Sequence, residues 1–176
     1  MVKFHNPTPE DERLQLFEYL KLHPEIVDCL IHGKIKDLYN AMNEPFYIST
    51  MTELLYASGT NIFNYLDYVP AYAFWESSLE VIEIPRHITK IETNAFAYCE
   101  HLHYITFEKG SRLDSVGTYA FKSCHHLIEQ EIRLPDSLTK IEGNAFDHTG
   151  VRALNIPFNA KVVSIGEVPI IYRGVD

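Results

Sequence analysis

The fold of this chain is decided by the stretch LEVIEIPRHITKIETNAFAYCEHL, residues 79–102, because its second half recurs along the sequence. ITKIETNAFAYC at 88–99 returns as LTKIEGNAFDHT at 138–149, with Thr-Lys-Ile-Glu and Asn-Ala-Phe at the same offsets. Two looser copies, LDYVPAYAFWES and LDSVGTYAFKSC, begin at Leu66 and Leu113. Self-similarity at a fixed period of roughly 20–50 residues indicates a repeat architecture.

The copies align in columns of apolar residues that lie 22–25 positions apart. The first column holds Leu66, Ile88, Leu113, Leu138 and Val162. The second column, three residues on, holds Val69, Ile91, Val116, Ile141 and Ile165. The third column holds Phe74, Phe96, Phe121, Phe146 and finally Ile170. We therefore predict that the phenylalanine rings stack on one another in the core.

Each copy continues into a short run with apolar residues at alternate positions, which is typical of a β-strand. These pairs are Ile82 and Ile84, Ile105 and Phe107, Ile132 and Leu134, and Leu154 and Ile156. A proline follows three of the four runs and would end the strand there. A repeat therefore consists of a strand, a turn, a second short extended piece and a helical turn around Ala-Phe. Such units bury their apolar faces only when stacked, at about 4.8 Å per strand.

The segment from Leu79 to Leu102 resembles the BspA-like class of leucine-rich repeats, whose pattern is L-x-x-I-x-I-P-x-x-V-T-x-I-G-x-x-A-F-x-x-C-x-x-L. The resemblance covers residues 60–176, about two-thirds of the chain. It implies a solenoid of about five coils with one parallel sheet face, and a role in binding other proteins. The usual glycine after the last isoleucine of this pattern is kept at Gly117 and Gly166 but is replaced by Glu92 and Glu142 elsewhere. LIEQEI at 127–132 carries two extra residues, which predicts a bulged strand.

The first 60 residues have the apolar spacing of helices and resemble no family that we can name. Thr8 and Pro9 can begin a first helix, and Pro24 opens a second whose apolar stripe runs to Met42. A capping box of Thr50 and Glu53 predicts a third, short helix that Gly59 would close. The fold class is therefore α+β: a helical N-terminal capping domain over residues 1–60 and a solenoid over residues 61–176.

Net charge, apolar runs and cysteine count each argue against particular classes of protein. A formal net charge of −9 disfavours a protein that binds nucleic acid by neutralising phosphates. No secretory signal and no run of about 18 apolar residues is present, so we expect no membrane association and a cytoplasmic location. The three cysteines are too few for a disulfide framework, although a bond between Cys99 and Cys124 in adjacent coils is sterically conceivable.

Catalytic and metal-binding motifs are largely missing. The sequence lacks phosphate-binding loops and the HExxH, CxxC and GxSxG patterns, so we expect no enzyme activity and no cofactor. The best metal candidate is the group Cys99, His101, His103, Cys124, His125 and His126. Each cysteine falls in a small inward column, whereas His101 and His126 precede inward leucines and should point outward. The thiols and imidazoles would then diverge, and we expect no metal.

The outward residues of the strands are the most useful functional signal, because they form one surface, here called the sheet face. Its members are Glu80, Val81, Glu83, His103, Tyr104, Thr106, Gln130, Glu131, Arg133, Arg152 and Asn155. Tyrosine and arginine are enriched among residues that dominate binding energy at protein interfaces. The favoured interpretation is a non-catalytic module that binds a protein partner of unknown identity by occupancy through this face, with the helical domain as a cap or second contact.

Other interpretations stay open. Within the binding class, a small acidic protein could be an intracellular inhibitor, encoded by a phage or a bacterium, that masks a partner's active or basic surface. A second class is an enzyme or metal protein with its site in the helical domain or the His/Cys region. A third is a structural or adhesive surface protein, against which the missing export signal argues.

Overall fold

The N-terminal part of the chain forms four short helices in the computed structural model, which describes residues 1–5, 9–127 and 131–174. The helices are α1 (Glu10–Lys21), α2 (Pro24–Ile31), α3 (Ile35–Ala41) and α4 (Pro45–Ala57), followed by a short 3-10 helix at Ile62–Asn64. Prolines occupy the first positions of α2 and α4, where the missing N–H costs nothing. No helix in this described part of the chain is long and apolar enough to cross a membrane.

Two helix boundaries differ from the prediction. The expected helix from Pro24 to Met42 breaks at Gly33, whose φ of +65° lets the Lys34 N–H donate to the Cys29 carbonyl oxygen and end α2. The last helix begins at Pro45, so Thr50 lies inside it and donates its hydroxyl to the carbonyl oxygen of Phe46. Gly59 does close that helix, as predicted.

The remainder is a parallel solenoid of about four turns. Its strands are β2 (Tyr68–Val69), β3 (Leu79–Ile84), β4 (Lys90–Ile91), β5 (Tyr104–Phe107), β6 (Ser115–Val116), β7 (Glu131–Arg133), β8 (Lys140–Ile141), β9 (Ala153–Ile156), β10 (Lys161–Val162) and β11 (Ile170–Arg173). The second extended pieces form a five-stranded sheet in the order β10-β8-β6-β4-β2. The helical domain and the solenoid share one hydrophobic core.

The last repeat has a different register from the one predicted. Val162 pairs with Ile141 rather than with Leu138. Ile165 is buried and its carbonyl oxygen accepts the N–H of Phe146, the role that alanines have in the earlier turns. Ile170 does not join the phenylalanine column but lies 41% exposed on β11. This copy lacks the Ala-Phe pair, so the column ends at Phe146. The column therefore contains four stacked side chains, and not the five that the alignment predicts.

The start of the chain covers the N-terminal end of the solenoid. Strand β1 (Val2–Phe4) pairs antiparallel with β3, and the His5 N–H donates to the Ser78 carbonyl oxygen. Behind it, three aromatic rings surround Phe74, the first ring of the column, with centroids 6.1–6.5 Å away; they are Phe4, Tyr56 and Phe63. The cap expected of the first 60 residues therefore includes a strand as well as helices. Thr8, the predicted start of α1, lies outside the described residues.

Candidate binding surface

The pairing register of the longer strands determines which residues lie side by side on the sheet face. Val81 pairs with Tyr104 and Glu83 with Thr106, while Arg133 pairs with Asn155. These pairs match the columns that the sequence predicts. Between them lie the buried side chains of Ile82, Ile105, Ile132 and Leu154. The alternation of strand side chains therefore sends Glu83, Thr106 and Arg133, with Val81 and Tyr104, to the outer surface.

Exposure separates the predicted residues into groups. Exposed side chains belong to Glu83, His103, Tyr104, Thr106, Glu131, Arg133 and Arg152. Partly buried side chains belong to Glu80, Val81 and Asn155. Gln130 lies outside the described residues, as do Ile128 and Glu129 of the LIEQEI stretch that was expected to bulge. Tyr104 is the large apolar side chain of this face that is most accessible, with half of its surface exposed.

Glu80 is engaged by the N-terminal strand. Its carboxylate accepts hydrogen bonds from Lys3 Nζ at 2.9 Å and His5 Nδ1 at 2.7 Å, and its side chain is only 14% exposed. The His5 ring also stacks on His101, with centroids 4.2 Å apart. The hydrogen bond from Lys3, followed by that from His5, lowers the pKa of Glu80 to about 2. Glu80 therefore holds β1 in place and is not an open contact of the sheet face.

The face is divided between β5 and β7. Among the described strands, β1, β3 and β5 form one three-stranded sheet and β7, β9 and β11 form another. A cleft of about 440 Å³ opens where these sheets diverge, lined by residues 107–111 and 133–137. A neighbouring cleft of about 280 Å³ is lined in part by Asn155 and Phe158. Arg133 lines both clefts, which places it at the centre of this part of the surface.

The clefts were missed in the sequence because the loops after the strands, not the strands, shape them. The signal that could have found them is the polar turn chemistry of EKGS at 108–111 and PDS at 135–137. Glu108, in the first of these loops, forms an ion pair with Arg86, and the distance from Arg86 Nη2 to Glu108 Oε1 is 2.7 Å. That hydrogen bond lowers the pKa of Glu108, so its carboxylate stays charged beside the cleft.

The His/Cys group does not assemble into a metal site. Cys99 and Cys124 are buried free thiols that donate to the carbonyl oxygens of Phe74 and Phe96, at 2.9 and 3.0 Å. The imidazoles of His101, His103, His125 and His126 are exposed. Across residues 1–5, 9–127 and 131–174, no three His, Cys, Asp or Glu side chains are grouped so as to hold a metal ion. The thiols and imidazoles point apart, as the repeat alignment predicts.

Comparison with known families gives one match. The family model described as BspA type leucine rich repeat region matches residues 53–168, in six copies. That range spans more than half of the chain and contains every strand from β2 to β10. Neither a curated protein nor a solved structure matches the chain. Repeats of this kind commonly mediate protein–protein interactions and are generally non-enzymatic.

Proposed function

The chain belongs to the BspA-type leucine-rich repeat family, and from that premise we propose that it is a non-catalytic module that binds a protein partner through the sheet face. The part of the face that makes the contact lies around Tyr104, Arg133 and the two clefts beside Arg133. The helical N-terminal domain caps the solenoid and is a second contact surface. Binding acts by occupancy: it covers a surface of the partner and needs no chemical step.

The observation that carries this proposal is the position of Arg133. It is about half exposed and lines two adjoining clefts, while the next strand places Asn155 on the smaller of them. A planar guanidinium between two concave surfaces can engage carboxylates or backbone carbonyls of a partner. Tyr104, also half exposed, adds an aromatic side chain of the kind that dominates interface energies.

Rigidity also supports binding here. The backbone at Tyr104 and at Arg133 is held on one side by ladder pairing, and the buried side chains of the neighbouring Ile105 and Ile132 anchor it in the core. A surface that is already ordered loses little conformational entropy when a partner binds. The net charge of −9 favours encounter with a basic partner, which is consistent with masking of a basic or active surface.

The test begins with capture of the partner from a lysate of the source cell and its identification by mass spectrometry. Each variant is then titrated against the purified partner. We expect Tyr104→Ala and Arg133→Glu each to weaken binding by about thirtyfold or more, the effect of losing roughly 2 kcal/mol at an interface hot spot. Their melting temperatures should stay near that of the wild type, because exposed side chains contribute little to folding.

Matched controls make the result specific. Tyr65→Ala removes a tyrosine of similar exposure (54%) outside the sheet face, and Lys161→Glu makes the same charge reversal on the five-stranded sheet. Both should bind normally. If Tyr104→Ala and Arg133→Glu bind like the wild type, the sheet face is not the site. If Phe17→Ala on α1 abolishes binding instead, the helical domain is the effector and the repeats are its scaffold.

A further inference from the structure

A second surface runs along the turns that carry the phenylalanine column. It contains four aromatic side chains, here called the aromatic row: Tyr72, Trp75, Tyr98 and Tyr119. Trp75 contacts Tyr72 and Tyr98 edge to face, with ring centroids 6.4 and 6.5 Å apart. All four rings are exposed or partly exposed, so they are accessible to a partner. None of them belongs to the sheet face.

The backbone makes the row unusual. The three tyrosines have φ values of +62°, +61° and +56°, in the left-handed region that bulky side chains rarely adopt. Asn94 and Asn144 hold the places of Tyr72 and Tyr119 in the other turns, and asparagine is far better suited to that conformation. The place of Tyr98 is held in the other turns by Glu76, Ser123 and His148. Local backbone preference therefore does not account for aromatic rings here, and their value lies in what the rings contact.

The row already holds one cation. The ammonium of Lys122 lies 4.5 Å from the ring centroid of Tyr119 and 5.9 Å from that of Tyr98. Both distances are within the range of a cation–π attraction. One half of the row thus engages a cation from the chain itself.

Trp75 and Tyr98 each adjoin a cavity with acidic walls. One cavity of about 240 Å³ has Trp75 and Phe46 as aromatic walls and the carboxylates of Glu12, Glu53 and Glu76. The second, of about 350 Å³, lies between Tyr98 and the carboxylates of Glu76 and Glu100. The cavities share Glu76, Ser77 and Ser78 in their linings, so they adjoin, and the two together are here called the groove.

The carboxylates of Glu12, Glu76 and Glu100 line the groove beside Glu53, whose own carboxylate accepts hydrogen bonds from Ser77 and Ser78. No basic side chain of the described residues forms an ion pair with Glu12, Glu76 or Glu100. Burial, then repulsion from Asp11, Glu53 and Glu76, raises the pKa of Glu12. A bound cation would relieve that repulsion.

We propose that the aromatic row and its two cavities are a docking groove for a basic polypeptide segment of a partner. Lysine or arginine side chains of the segment enter the cavities, pack on Trp75 and Tyr98 and pair with Glu76 and Glu100. A segment fits better than a small cation because the two cavities adjoin and each has its own aromatic and carboxylate lining, so that two basic side chains of one segment can occupy them together. This groove is separate from the sheet face, so each can fail without the other.

The sequence provides its own reporter, because Trp75 is the single tryptophan. The full chain is titrated with a capped hexapeptide of alternating lysine and arginine, and tryptophan fluorescence is followed. We expect a saturable change that weakens with added salt, and none with a hexaglutamine peptide. The double variant Glu76→Gln/Glu100→Gln should bind the basic peptide at least about tenfold more weakly, with an unchanged melting temperature because both side chains are exposed.

The matched control is Glu25→Gln/Glu167→Gln, which makes the same change in net charge at two exposed positions outside both the groove and the sheet face. If this control weakens peptide binding as much as the groove variant, the attraction reflects only the overall charge and the groove is not the site. Absence of a saturable signal with the basic peptide also overturns the proposal. Binding of lysine amide as tight as that of the hexapeptide would show a small-cation site and would contradict docking of a segment.

Discussion

The rings of Phe96 and Phe121 are stacked nearly parallel, with an angle of 2° between their planes and a distance of 5.1 Å between their centroids. This spacing is close to the distance between neighbouring strands, so each turn of the solenoid places one ring on the next. The same stacking extends to Phe74 on one side and Phe146 on the other. All four rings are fully buried, and they form the central column of the core.

Loss of one ring from this column should be costly. We expect Phe121→Ala to lower the free energy of unfolding by about 3–5 kcal/mol, from lost burial and the cavity left between two rings. Chemical denaturation measures the change. Phe158→Ala is the control, because that ring is 73% exposed and its removal should cost little. A loss below about 1 kcal/mol for Phe121→Ala would mean that the column does not hold the solenoid together.

Gly117 has no room for a side chain. A Cβ atom there would lie 2.7 Å from the Thr93 nitrogen and 2.8 Å from the Glu92 carbonyl carbon, both in the backbone of the preceding turn. We expect Gly117→Ala to destabilise the protein by about 1–3 kcal/mol, because the neighbouring turn must move. In the next turn, a Cβ at Gly143 meets only Ser164 Oγ at 3.7 Å. Chemical denaturation of both variants measures the difference, and Gly143→Ala should leave the free energy of unfolding unchanged. An equal loss of stability in the two variants would contradict the close contact between Gly117 and the backbone of Thr93.

The thiols should differ in reactivity. Burial raises the pKa of Cys99, and Cys124 is equally buried, whereas Cys29 is partly exposed. Iodoacetamide applied to the native protein should therefore modify Cys29 alone, as read by peptide mass spectrometry. Cys29→Ser should abolish native labelling, and denaturant should make Cys99 and Cys124 reactive. Native labelling of Cys124 as fast as that of Cys29 would contradict the packing of the repeats.

Glu80 should remain ionised in acid. Because its folded pKa lies near 2, below the ordinary value, its hold on β1 is fully present above the ordinary carboxyl range and is lost as the pH falls through 2. The measurement is the titration of the Glu80 carboxyl carbon by NMR. Lys3→Met should raise the midpoint, since the Lys3 hydrogen bond is the main cause of the shift. An ordinary Glu80 midpoint in the folded wild-type protein would contradict the contact with β1.

The repeat register was predictable wherever large side chains marked it. Phe96, Phe121 and Phe146 each follow an alanine at a fixed offset, and no other alignment of the copies preserves that pairing. The last copy lacks this marker and offers Val162 and Ile165, which are interchangeable aliphatic residues three positions apart. Its register is decided by pairing with Ile141, a tertiary contact that local sequence does not contain.

Other features were hidden for related reasons. Strand β1 is three residues long and forms only because β3 presents an open edge, so residues 2–4 alone carry too little signal. The break at Gly33 follows a choice of backbone conformation that a glycine permits but does not require. The outward orientation of the Tyr104 and Arg133 side chains could be predicted from the alternation along a strand. The clefts beside Arg133 could not, because they depend on the shape of the loops. The boundary placed between residues 60 and 61 stays a prediction.

The antiparallel direction of β1 sets a polarity for the growth of the array. A further repeat, gained by duplication, must supply a strand that pairs in parallel with its neighbour. Its turn must also pack on the turn of the neighbouring repeat. Such a unit can be inserted between existing repeats or follow β11, since both places continue the parallel order. It cannot precede β3 while β1 occupies that edge with its side chains bound to Glu80. Lengthening of this protein in evolution or by design is therefore blocked at the β3 edge and confined to the interior of the array and the β11 edge.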